Sequence, residues 1–247
     1  MDKQMHLAAQ YLAAAGISFT EPKDDDSHTN LGFDVERKSM ETRVLSTQVD
    51  VLALNYRKFL LEWHSFEETI SFSLHGKTHK EILQWLQAVS KKRLGKEYTY
   101  AFHYDVPYSI DEKFTFQLTD VHKLEYLCNL RMLAQHTFEA ITEEYNLDTE
   151  IRVWPHHFDT GGYAELNNSG IAIGFGLATP DTVCNEHYFY IAGYKNGTTI
   201  DPKDFKALSH GNWINNGFTG AISPARKLVA SEAFQFFEET INSYKNL

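Results

Sequence analysis

Cysteine is nearly missing: the 247 residues hold only Cys128 and Cys184, and neither stands in a C-x-x-C pair. Two isolated thiols cannot form a disulfide framework, which points to a reducing, cytoplasmic setting. Positive charge is also short. The chain has 33 acidic and 23 basic side chains, a formal charge of −10 that repels phosphate backbones and anionic lipid, so neither nucleic acid nor a membrane surface is expected as a partner. The one dense basic cluster, Lys91, Lys92 and Arg93, falls at the end of an expected helix, where cations complement the helix dipole. No run approaches the roughly 20 apolar residues of a membrane span. The opening "MDKQMHLAAQYLAAAGISF" is rich in small residues, but Asp2, Gln4, His6 and Gln10 spoil a signal-peptide pattern. Met5, Ala8, Leu12 and Ala15 follow helical spacing instead, with Gly16 placed to end the helix. Fixed repeats, low-complexity tracts and Gly/Ser linkers are lacking too, which favours a single domain with two halves, about 1–110 and 111–247.

Aromatic residues are plentiful, at 14%, within a hydrophobic fraction of 43%, so a sizeable core is expected. Polar "EPKDDDSHTN" reads as a loop, and "LGFDVER", "TRVLS", "VDVLAL", "KFLLEW" and "TISFSL" follow as short strands of an antiparallel meander. "THKEILQWLQAVSKKRLG" carries the strongest helix signal: Thr78 and Glu81 form a capping box, Ile82, Trp85, Leu86 and Val89 share a face, and Gly95 ends it. Tyr98, Tyr100, Phe102 and Tyr104 alternate, as in a strand or an extended segment ending near Pro107; such a row is a packed face or a ligand wall. A long helix follows at 120–146, capped by Asp120 or Thr119, with Leu127, Leu130, Ala134, Phe138, Ile141 and Tyr145 on one stripe and His122 and His136 off it. Further helices are expected at 3–15, 79–93 and 231–245, the last resting on Phe234, Phe237, Ile241 and Tyr244. Together these elements predict an α+β fold with an antiparallel sheet in each half.

The second half carries the chemistry-bearing residues. "EIRVWP" reads as a strand interrupted by Pro155 and resumed at "FDTGGYAEL", where Gly161 and Gly162 mark a bulge or a close backbone approach. Turn residues "NNSG" join it to "IAIGFG", and "HYFYIAGY" makes a third strand. If the three run antiparallel in order, one sheet edge gathers His156, His157, Asp159, Thr179, Asp181, Cys184, Glu186 and His187. Such imidazoles and carboxylates suit a divalent zinc, iron or manganese ion held by His157, Asp159 and His187, with Glu186 or Asp181 as a catalytic base. They also suit a small-ligand site of His157, Asp159, Thr179, Asp181, His187, Tyr188 and Trp154, or, as such strand ends more often do, a plain strand turn whose polar side chains satisfy backbone groups. Strand alternation would put His156 and His157 on opposite faces. No H-E-x-x-H spacing fixes a metal, no G-x-S-x-G elbow offers a nucleophile, and "CNEH" lacks a second ligand pair. The glycines of "GIAIGFG" end a strand without opening a helix, so they are no dinucleotide fingerprint.

"VWPHHFD", "GFGLATPD", "EHYFYIAGY" and "WINNGFTGAISPARKL", in that order, resemble a group of uncharacterised bacterial proteins carrying W-P-x-H-F-D, G-x-S-P-x-D, H-x-x-Y-x-Y and G-A-[VI]-L segments. The likeness spans nearly the whole chain and rests on Trp154, Pro155, His157, Phe158, Asp159, Pro180, Asp181, His187, Tyr188 and Tyr190. His156, Thr179 in the usual Ser position, and "ISPARKL" depart from the pattern. The resemblance implies a shared chain organisation and no reaction, and it favours His157 over His156. Three function classes follow: a small-ligand-binding protein with a polar edge, a metal-dependent hydrolase or lyase, and a structural or partner-binding protein.

Overall fold

Helix α1 (Asp2–Phe19) is buried over almost its whole length, from Met5 to Gly16. It runs past the expected stop at Gly16, which serves packing instead: a Cβ there would lie 2.9 Å from the His28 carbonyl oxygen. The computed structural model describes every residue except positions 107, 109, 112 and 167–169. Two compact units divide the chain, one of Met1–Asn129 with Val153–His157, the other of Leu130–Arg152 with Phe158–Leu247.

In the first unit, β1 (Gly32–Asp34), β2 (Ser39–Glu41), β3 (Val51–Asn55), β4 (Leu60–His64) and β5 (Thr69–Ser73) form an antiparallel meander in sequence order. The segment "TRVLS", expected as a strand, is not one. Pairing ends at Glu41, and the chain then folds over a turn in which the Leu45 N–H donates to the Asp50 carbonyl and Val49 takes φ 60°. Asp50 is fully buried there, accepting from Trp63 Nε1 at 2.7 Å and from Arg93 Nε at 3.3 Å. That contact absorbs one member of the basic cluster into the fold. Helix α2 (His79–Leu94) has both bonds of its Thr78–Glu81 capping box and ends at Gly95 in the left-handed conformation, as local sequence predicts. The aromatic row after it forms no strand. It is an extended ladder, with ring centroids 4.9 Å apart from Tyr100 to Phe102 and 5.1 Å from Phe102 to Tyr104.

Helix α3 (Val121–Tyr145) starts at Asp120, whose carboxylate accepts the Lys123 N–H at 2.8 Å, and the division between units falls within it. The second sheet contains β6 (Arg152–Trp154), β7 (Asp159–Glu165), β8 (Ile171–Ala178), β9 (Tyr188–Lys195), β10 (Thr198–Thr199), β11 (Asn212–Asn216) and β12 (Phe218–Pro224), in the order β11-β12-β9-β8-β7-β6 with β10 on β9. The chain therefore reverses at Pro155 into a hairpin, where a single interrupted strand was expected. Strands β7 and β8 pair from Thr160↔Leu177 to Glu165↔Ala172; the "NNSG" turn between them falls largely outside the described residues. Gly161 is regularly paired, without a bulge, and its Cβ would fall 2.1 Å from the Phe175 carbonyl oxygen, so the close approach is what requires glycine. One face of this sheet is packed by α3 and by α4 (Ala230–Lys245): Phe138 and Phe237 meet Phe175 and Phe189, and Tyr244 lies against Gly193. Among the described residues, no helix is long and apolar enough to cross a membrane.

Candidate functional site

The turn from Pro155 to Phe158 begins with a pinned carbonyl: Pro155 O accepts from His6 Nε2 at 2.8 Å and Gln10 Nε2 at 2.7 Å. A carbonyl can only accept, so His6 carries its proton on Nε2. His156 and His157 occupy this turn and not a strand, so alternation does not separate them; their rings lie 4.2 Å apart. His156 is half-buried beside Tyr104 and Trp154, while His157 is exposed. Phe158 closes the turn at φ 64°, an uncommon conformation for a bulky side chain. Arg131, 6% exposed on α3, holds it there. The guanidinium donates to the Phe158 carbonyl and to Thr160 Oγ1 and sits 4.5 Å from the Phe158 ring centroid. This clamp fixes the first residue of β7, Asp159, between its two anchors.

Register then assembles the rest. Thr160 pairs with Leu177, Leu177 with Phe189 and Ala178 with Tyr188, so the start of β7, the end of β8 and the start of β9 meet at one edge. On the sheet face opposite the helices, Tyr190 lies across Gly176, where a Cβ would come 2.6 Å from its hydroxyl, and donates to Asp159 Oδ2 at 2.6 Å. Burial, with the Asp159 carboxylate beside it, pushes the Tyr190 phenol well above its ordinary range. Two residues back, Tyr188 donates to Asp181 Oδ2 at 2.8 Å, and burial and that bond raise its phenol too. Both tyrosines therefore stay protonated and act as donors at neutral pH.

The two carboxylates differ in one respect. Asp181 is satisfied: besides Tyr188 it accepts the Val183 and Cys184 N–H groups at 2.8 and 3.1 Å on Oδ1, the pattern of a loop cap. Asp159 is only half satisfied, because its Oδ1 is buried and has no hydrogen-bond partner among the described residues. Around it, Gly176 leaves room for Tyr190 and Gly174 for Tyr194 and Tyr163, the last of which is 60% exposed.

The structure thus joins Asp159 to Tyr190 and Asp181 to Tyr188. His187 is buried at the start of β9 with its carbonyl accepting the Ala225 N–H, and Thr179, Cys184 and Glu186 are half-buried in the β8–β9 connection. Trp154 is half-buried at the end of β6. Among the described residues no three His, Cys, Asp or Glu side chains converge as metal ligands. Sequence reasoning missed Arg131 and Gly176, and it left Tyr190 out of the site. A charged residue beside the apolar stripe of α3 was the available sign for Arg131, and the two-residue spacing from Tyr188 was the sign for Tyr190. No family model, curated protein or solved structure matches this chain.

Proposed function

We propose that the sheet of the second unit binds a small molecule that donates a hydrogen bond to Asp159 Oδ1. The observation that supports this most is the buried, unpartnered carboxylate oxygen. Leaving such a group unsatisfied costs about 1 to 3 kcal/mol, more when it is charged, and a binding partner that supplies a donor recovers that cost. The rings of Tyr163, Tyr190 and Tyr194 offer flat surface for a ring, and the carboxylates, with the chain's charge of −10, select against anions. The ligand class is therefore a neutral or cationic ring bearing a hydroxyl or amine. Ligand-observed NMR with such rings and with matched ring carboxylates tests this. Saturation transfer to the donors, lost in Asp159→Ala, is the expected result. Equal signals from the carboxylates, or donor signals that persist in the variant, would refute it.

A further inference from the structure

A cavity lies elsewhere, wholly within the first unit, and is independent of the Asp159 site. It has a volume of about 230 Å3 and is lined by Lys38, Tyr56, Arg57, Val121, Leu124, Glu125, Cys128 and Asn129. Its construction follows from two turns and a helix. The β1–β2 and β3–β4 hairpins share a four-residue turn whose last residue has positive φ, Lys38 at 56° and Phe59 at 51°. The Tyr56 N–H donates to the Lys38 carbonyl at 3.0 Å, which ties the two turns together and holds Lys38 and Arg57 side by side. Asn55 Oδ1 fixes the second turn by accepting the Arg57 and Lys58 N–H groups, both at 3.0 Å. The opposite wall is one face of α3, since residues 121, 124, 125 and 128 fall at helical spacing.

Neighbouring cations on these turns are engaged, Arg37 with Asp34 and Glu41, and Lys58 with Glu62. Lys38 and Arg57 have no carboxylate within ion-pair distance among the described residues. Glu125 is the one acidic residue of the lining, so two cations face one carboxylate and a single positive charge is left over. Val121 and Leu124 add an apolar wall, and buried Cys128 completes the floor; burial pushes its thiol up while Lys38 and Arg57 pull against that. Leftover charge, apolar wall and small volume together match a singly charged organic anion. We infer that this cavity binds a small aliphatic monocarboxylate, its head group at Lys38 and Arg57 and its chain against Val121, Leu124 and Cys128.

Butyrate, butyramide and butylammonium are suitable probes, titrated by calorimetry into the intact chain, with Cys128 alkylation by iodoacetamide followed in a Cys184→Ser background. Butyrate should bind and slow alkylation, and the neutral amide and the cation should do neither. Lys38→Met with Arg57→Met, both on surface turns, should weaken butyrate by about tenfold or more at an unchanged melting temperature. Leu124→Phe, which fills the cavity and keeps both cations, should also abolish binding. Equal binding of butyrate and butyramide, no butyrate binding, or butyrate binding that survives either variant would overturn the inference. If the double variant loses its fold, Leu124→Phe alone decides.

Discussion

Two aspartate–tyrosine pairs of similar geometry should respond to truncation to very different degrees. Asp181→Ala removes three satisfied bonds, from Tyr188 and the Val183 and Cys184 N–H groups. Water replaces part of this at an exposed loop, so the loss should be about 2 kcal/mol. Asp159→Ala removes one bond, from Tyr190, and also relieves a buried carboxylate oxygen that has no partner. The Tyr190 hydroxyl left behind costs about 1 to 3 kcal/mol, and the relieved Oδ1 returns about as much, so the net change should lie within about 1 kcal/mol of zero. Adding Tyr190→Phe removes the orphaned hydroxyl, and the double variant should match or exceed the parent in stability. Urea unfolding followed by circular dichroism measures these proteins and the Tyr190→Phe single variant in one buffer, and the double-mutant cycle isolates the Asp159–Tyr190 pair. A double variant less stable than the parent by more than about 2 kcal/mol would mean that Asp159 serves the fold. Its Oδ1 would then be no binding device.

Asp50→Ala should cost about 1 to 3 kcal/mol, read as a urea midpoint, because it strands Trp63 Nε1 in the interior, while Arg93 keeps Glu67 and Glu68 as partners. Thr78→Ala should cost about 1 kcal/mol by breaking the capping box of α2; an unchanged midpoint would show that the cap adds nothing. The bonds from Lys77 and then Thr78 hold Glu81 at about 2, below the usual 4.5, so the stability it adds is complete above pH 4.5 and lost as pH falls towards 2. The stability difference between the parent and Glu81→Gln should therefore shrink across that window and stay flat above it. Gly193→Ala should destabilise by about 1 to 3 kcal/mol in thermal unfolding, since the added methyl would lie 2.4 Å from the Tyr244 ring.

What could be read from the chain followed the range of the forces involved. The capping box of α2 and the stripe of α3 depend on residues three or four apart, and sequence exposes such spacings directly. The pairing of β7, β8 and β9 was legible because adjacent strands with short connections have one simple antiparallel arrangement. The hairpin at Pro155 was not, since a four-residue turn ending in a left-handed Phe158 carries no glycine to announce it. Its stability comes from Arg131, 27 residues away in the chain, and such distant contacts leave no local pattern. "TRVLS" has strand composition but yields to the buried Asp50 turn, a tertiary contact that overrides propensity. The polar edge was found as a region. Which carboxylate was satisfied could not be, because that depends on where each tyrosine hydroxyl ends up.

A crystal of the protein soaked with a donor-bearing ring tests the proposed site most directly. The prediction is a ligand hydroxyl or amine about 2.7 to 3.1 Å from Asp159 Oδ1, with the Tyr190 bond to Oδ2 intact and the ring against the tyrosines of β7 and β9. An ordered water alone on Oδ1 at saturating ligand, or the ring bound away from β7 and β9, would contradict it.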